Sequence, residues 1–209
     1  MRVLIADDHP IVREGLKRLI QDEFQSAVVD EAGSGQEVMR KICDQSWNVV
    51  ILDIHFPDKN GLEVLKEVKA LKETLPIIVL SVYPEEQYAL RAFKAGADAY
   101  LTKESAPSEL MEAIQTVCKG QKYVKPTIAV QWAMTLGNEQ PVVPHSPLSD
   151  REVEVLRMFV NGRTPKEIGH ALVISEKTVS TYRSRILTKL RLRTTVDLIR
   201  YALDQGLTR

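Results

Sequence analysis

The sequence predicts an α/β fold, a doubly wound five-stranded parallel sheet, followed by a second, smaller all-α domain. Three observations support this reading. Short β-branched runs alternate with segments of helical period through the first half. The alternation stops near Gly120, and a Pro-rich stretch follows. The formal charge of the 209-residue chain is zero, yet residues 148–209 carry 12 Lys+Arg against 7 Asp+Glu, and residues 1–147 carry 16 against 21. A basic second half beside an acidic first half points to two units with different partners.

Strands are expected at Val3–Ala6, Ala27–Val29, Val49–Leu52, Ile77–Leu80 and Ala99–Leu101, with helices in the gaps. Ser34-Gly35-Gln36-Glu37 has the capping-box pattern, and Pro107 sits where a last helix can begin. Five βα units imply a parallel sheet covered on both faces. Pro126–Met134 adds one further helical segment. Gly137–Pro147, with its Pro and polar residues, reads as linker.

Beyond the linker no strand pattern recurs. Ser149-Asp150-Arg151-Glu152 and Thr164-Pro165-Lys166-Glu167 both fit the capping box, the second with proline at the first helical position. Ser175 caps a third helix and Thr194 a fourth, which Gly206 can end.

With 44% hydrophobic and 27% charged residues, the composition excludes a disordered chain. The N-terminal apolar run Val3–Ala6 is too short for a signal-peptide core, and no run approaches a membrane span, so a cytoplasmic protein without membrane contact is expected. Cys43 and Cys118 lie in apolar-periodic stretches without neighbouring ligands and read as buried thiols.

The candidate strands Val3–Ala6, Val49–Leu52, Ile77–Leu80 and Ala99–Leu101 end in polar residues: Asp7-Asp8, Asp53, Ser81 and Thr102-Lys103. Ligands of open α/β sheets bind outside the carboxyl ends of the strands, at the point where strand order reverses. Any one of these aspartates could merely cap a helix or start a turn; their joint placement argues for a site. Three carboxylates together repel unless a hard divalent cation, Mg²⁺, offsets them through oxygen ligands. With the cation and Lys103 in place, a phosphoryl group is tolerated, and Asp53 is the expected acceptor. His9 reads as a helix-start residue, and Gly61 as turn chemistry.

Over residues 1–122 these motifs resemble the receiver domains of two-component response regulators, a flavodoxin-like fold. The resemblance implies that Asp8 is a direct metal ligand and that Asp7 acts largely through water. It further implies that Asp53 is phosphorylated and that the His55 backbone carbonyl completes the metal shell. Ser81 and Tyr100 would form the switch pair, and Lys103 would bind phosphate. Phe56 stands where the family usually has Met, and Glu104 where many members have Pro.

In the second half, Val179, Tyr182, Ile186 and Leu190 recur at helical spacing and would bury one face. The other face carries Lys177, Thr181, Ser184, Arg185 and Thr188. Cations neutralise phosphates, while small hydroxyl side chains let a helix approach base edges in the major groove. Lys166–Leu172 and the turn Val173-Ile174-Ser175 precede it as in a helix-turn-helix. Residues 148–207 resemble the LuxR-type output domain of the NarL/FixJ response regulators, through Leu148–Glu152, Gly162, Ile168, Ser175–Val179 and Ile186–Leu190. Tyr182 replaces a frequent histidine. By that resemblance, base contacts come from Ser180, Thr181 and Ser184, and Lys177, Thr178, Arg185 and Lys189 lie towards phosphates.

The expectation is a receiver over residues 1–122, a linker over 123–147 and a DNA-binding domain over 148–209. Such a chain is a transcription regulator rather than an enzyme, phosphorylated on Asp53 by a sensor histidine kinase, and a homodimer on phosphorylation or DNA binding. A small-molecule phosphatase with an aspartyl-phosphate intermediate explains the first half only. A phosphorylation-independent DNA-binding regulator with a degenerate receiver is the alternative that Phe56 and Glu104 suggest.

Overall fold

The computed structural model describes residues 1–83, 85–126, 128–130 and 148–204. The chain divides into two compact units, Met1–Gly137 and Asn138–Arg209.

The first unit is built from β1 (Arg2–Ala6), α1 (Pro10–Glu23), β2 (Val28–Ala32), α2 (Gly35–Asp44), β3 (Val49–Asp53), α3 (Gly61–Leu71), β4 (Ile77–Ser81), α4 (Glu85–Lys94), β5 (Ala99–Thr102) and α5 (Ala106–Cys118). All strand pairs are parallel, in the order β2-β1-β3-β4-β5. The chain first steps outward from β1 to β2 and then returns across β1 to β3, so right-handed crossovers place α1 on one face and α2, α3 and α4 on the other. Helix α5 joins the α1 face. Val3, Ile5, Val49, Ile51, Ile78, Leu80 and Leu101 turn the strands' alternate side chains towards Leu16, Ile20, Leu110, Ile114 and Val117 of these two helices. The central strands are buried on both faces, which is why they read as continuous apolar runs.

The expectations for β2 and for the two cysteines need correction. Strand β2 runs to Ala32 rather than ending at Val29, because it is an edge strand whose Asp30 and Glu31 interrupt the apolar signal while still pairing with β1. Cys43 and Cys118 are exposed. Each follows a buried residue, Ile42 and Val117, and one step along a helix rotates a side chain by about 100°, off the buried stripe.

The cap signals held in most places. Ser34 accepts a hydrogen bond from Glu37 N, but Glu37 Oε2 accepts from Gly33 N instead of closing the box on Ser34. Residues 126 and 128–130 are helical; the remainder of the expected Pro126–Met134 segment, the Gly137–Pro147 linker and Gly206 lie outside the described residues.

The second unit contains α6 (Asp150–Val160), α7 (Pro165–Ala171), α8 (Glu176–Leu190) and α9 (Thr195–Asp204). Both expected capping boxes, Ser149 with Glu152 and Thr164 with Glu167, are formed. Leu148, Val153, Leu156, Phe159, Ile168, Leu172, Val179, Ile186 and Leu198 are buried. Among the described residues no helix is long and apolar enough to cross a membrane.

Candidate functional site

Strand register brings the polar strand ends together. Ala6 pairs with Leu52, Asp53 with Leu80, and Ser81 with Thr102. The next residue on each side of these pairs is therefore Asp7 beside Asp53, Ser81 beyond Asp53, and Lys103 beyond Ser81. The site lies at the switch point between β1 and β3, where adjacent crossovers diverge and leave a crevice.

Asp7, Asp53 and Ser81 are almost fully buried, and Asp8 is about one-third exposed at 32%. Lys103 Nζ stands 2.6 Å from Asp7 Oδ2 and 2.7 Å from Asp53 Oδ2, bridging carboxylates from two strands. Asp53 Oδ1 accepts a hydrogen bond from Ile54 N at 2.6 Å. The Lys103 backbone N–H donates to Ser81 O at 2.7 Å and ties the ends of β4 and β5.

Burial pushes the Asp53 carboxyl above its usual range, and the Asp7 charge adds to that push; Lys103 and His55 pull the other way without overcoming it. Burial alone would lower the Lys103 ammonium, but Asp53 and Asp7 outweigh it and hold its pKa above the ordinary value. The pocket is thus short of positive charge. Asp7 Oδ2 and Asp8 Oδ1 are buried and meet Lys103 and His9 closely, without hydrogen-bond geometry. One potential ligand atom from each of Asp7, Asp8, His9 and Asp53 lies within 4.8 Å of the others. Carboxylate oxygens at that spacing fit a hard divalent cation.

His9 belongs to this cluster, which its reading as a helix-start residue did not anticipate. It occupies the N-cap of α1 without making a side-chain cap; its Nδ1 turns instead to Asp8 Oδ1 at 2.5 Å and Asp7 Oδ1 at 3.2 Å. Its place next to the acidic pair was the available signal. Gly61 also has a different reason from the expected one. Its φ is not left-handed, but a Cβ there would stand 2.0 Å from Asp53 O.

Tyr100 is buried, and its hydroxyl donates to Tyr83 O at 3.0 Å. Tyr83 N donates to Ser81 Oγ at 3.1 Å, so the two members of the expected switch pair share Tyr83 as a neighbour. The Tyr83 ring stacks on Tyr88 at 4.7 Å, and its hydroxyl lies 3.1 Å from His55 Nε2. Phe56 is buried, in keeping with a packing exchange.

In the second unit, Val173 and Ile174 turn the chain between α7 and α8. Gly169 lets the turn close: a Cβ there would stand 2.8 Å from Ile174 O. Val179 and Ile186 of α8 are fully buried, whereas Tyr182 and Leu190 are half-buried. Lys177, Thr181, Ser184, Arg185 and Thr188 are exposed, and Thr178 and Ser180 half-exposed. Thr181, Ser184 and Thr188 donate their hydroxyls to carbonyls one turn back, at 3.0, 3.1 and 3.0 Å. Their oxygen lone pairs stay available to an outside donor. Lys189 differs from the other cations, since its ammonium contacts the buried Glu152 Oε2 at 2.6 Å.

Comparison with known proteins agrees with this geometry. Residues 3–115 match the response regulator receiver domain, and residues 146–202 match the bacterial regulatory proteins of the luxR family. The chain is 34% identical over 208 residues to the response regulator UvrY of Escherichia coli (strain K12), covering 99% of this chain and 95% of that one. It is 36% identical over 210 residues to the response regulator GacA of Pseudomonas viridiflava, covering 99% and 97%. Among solved structures, the RcsB response regulator of Salmonella typhimurium aligns with a TM-score of 0.57 and 28% identity over 98% of each chain. RcsB from Salmonella enterica serovar Typhimurium bound to promoter rprA with phosphomimetic BeF3- gives 0.61 and 26%, over 96% of this chain and 98% of that one. The acidic pocket at the sheet's switch point, the basic helix after a tight turn and these matches across both halves together place the chain in the NarL/FixJ family of response regulators, with a receiver domain and a LuxR-type DNA-binding domain.

Proposed function

We propose that Asp53 accepts a phosphoryl group from the phosphohistidine of a sensor kinase, and that this modification controls binding of double-stranded DNA by α8. The bridging of Asp7 and Asp53 by Lys103 is the observation that carries the reading. An Asp53 oxygen would attack phosphorus as the bond to the donor imidazole nitrogen breaks, and the imidazole leaves with a proton. Asp8, Asp53 and the His55 carbonyl would hold Mg²⁺, with Asp7 acting through water. When bound, the cation neutralises charge on the transferring oxygens.

Lys103, already held by both carboxylates, is in reach of a phosphoryl oxygen at Asp53 and can stabilise its charge. The Ser81 hydroxyl would turn to the phosphoryl group and Tyr100 would follow inward. Tyr83, which touches both, would move with them. The receiver would span residues 1–122, with a linker over 123–147 and the output domain over 148–209.

On DNA, Ser180, Thr181 and Ser184 would face base edges, and Lys177, Thr178, Arg185 and Lys189 would lie towards phosphates. The protein would act in the cytoplasm, as a homodimer on phosphorylation or DNA binding, since paired half-sites mirror two-fold symmetry.

Intact mass after treatment with acetyl phosphate and Mg²⁺, on the wild type and Asp53→Ala, tests this reading. A phosphoryl-sized gain absent from the variant, with a shift towards dimer, is expected. No gain in the wild type would favour phosphorylation-independent DNA binding.

A further inference from the structure

We propose that Asp58 is a positioning residue for the cation half of the acidic pocket, because it pins the loop between β3 and α3 to the N-terminus of α2. The inference rests on the reading of the pocket as a Mg²⁺-dependent phosphoacceptor site.

Loop 54–60 carries His55, the residue whose backbone oxygen would join the metal shell. Its α3 end is secured by local contacts. Gly61 N donates to Ile54 O at 2.6 Å, His55 and Asn60 form an antiparallel bridge, and Leu62 N donates to Asn60 Oδ1 at 2.9 Å. Lys59 pairs with Glu67 of α3.

Asp58 secures the loop on the other side. Its Oδ1 accepts from Gly35 N at 2.9 Å and its Oδ2 from Gln36 N at 2.8 Å, across 23 and 22 residues of sequence. These N–H groups belong to the first turn of α2, which has no carbonyl partners of its own and favours negative charge. Gly35 permits the approach, since a Cβ there would stand 2.9 Å from Val64 Cγ2 and 3.2 Å from Lys59 Cβ. The seam therefore has a small residue on the helix and a two-pronged acceptor on the loop.

Helix α2 already has Ser34 as its own N-cap, so Asp58 is not needed to start it. What the second cap adds is a fixed distance between a rigid helix and the loop. Metal–oxygen distances tolerate changes of about 0.2 Å, so a loop that drifts by more than this loses the carbonyl as a ligand.

The test compares full-length wild type with Asp58→Ala, Asp58→Asn and Ser34→Ala, using Mn²⁺ as probe and counting free ion by its EPR signal. Urea denaturation of each variant establishes that it is folded. Asp58→Ala should weaken Mn²⁺ binding about tenfold, the usual loss when a group supporting a ligand is removed. Asp58→Asn, which keeps one acceptor oxygen, should recover part of that loss. Ser34→Ala weakens the same helix end without touching the loop and should bind Mn²⁺ as the wild type does. Wild-type affinity in Asp58→Ala, or an equal loss in Ser34→Ala, would overturn the positioning role while leaving the cation site in place. A wild type that itself fails to bind Mn²⁺ would overturn the cation reading and the proposal with it.

Discussion

Gly61 lies so close to Asp53 that a Cβ built on it would stand 2.0 Å from the Asp53 carbonyl oxygen and 2.7 Å from Ile54 Cα. The obstructing atoms are backbone, so they cannot rotate away. Gly61→Ala should destabilise the receiver by about 1–3 kcal/mol, the usual cost of overpacking. It should also displace Asp53, so phosphorylation by acetyl phosphate should fall by more than the folded fraction does. Urea denaturation and intact mass on the same samples separate the two effects.

Lys103→Met removes the ammonium that bridges Asp7 and Asp53. The rate of phosphoryl gain should drop by roughly 10²-fold, as when a single transition-state charge donor is deleted. Divalent-cation binding should persist, because the carboxylates remain. A Mn²⁺ titration beside the mass assay checks both; loss of cation binding with unchanged rate would contradict the assigned role.

Glu152 gives the second unit a pH dependence. Burial works to raise its carboxyl, but the Lys189 ammonium and the Ser149 N–H and hydroxyl outweigh burial and hold it below the ordinary value of 4.5. A carboxyl depressed in the folded state contributes stability that is complete above the unfolded pKa and is lost as pH falls through the folded one. Protection of the α8 amides in hydrogen exchange, corrected for intrinsic rate, should therefore hold from neutral pH to about 4.5 and decline below it. Glu152→Gln keeps the capping-box acceptor but loses the charge. It should cost about 1 kcal/mol at neutral pH and flatten the decline.

Val173, in the turn before α8, has φ 53° and is 67% exposed. A β-branched residue in the left-handed region is strained by about 1–2 kcal/mol, and so little of this side chain is buried that replacing it loses little packing. Val173→Gly should raise the stability of the DNA-binding domain by up to about 1 kcal/mol, seen as a melting shift of a few degrees. A lower melting temperature would show that the turn depends on the valine side chain.

Arg185 is exposed on the outer face of α8. Arg185→Ala should weaken binding to a duplex of arbitrary sequence and reduce the salt slope of log K by about one. Fluorescence anisotropy over a salt series checks this. Lys189→Ala, whose ammonium lies against Glu152, should change the slope less and domain stability more.

Local signals in the sequence determined much of this protein. Apolar runs, capping residues and the polar strand ends announced both units, because helix periods and caps act within a few residues. Asp7, Asp8, Asp53, Ser81 and Lys103 could be grouped in advance because parallel strands of a doubly wound sheet end at one edge. Tertiary structure decided what depends on register and on distant contacts. The pairing of Ala6 with Leu52 and Ser81 with Thr102 set which polar atoms meet. Lys189 turned to Glu152, and Asp58 reached α2 across 22 and 23 residues. Nothing in the neighbourhood of those residues encodes their partners. The exposed cysteines escaped prediction because a helix signal locates an element while packing decides which of its side chains face inward; β2 was read short because Asp30 and Glu31 break its apolar run while still pairing with β1.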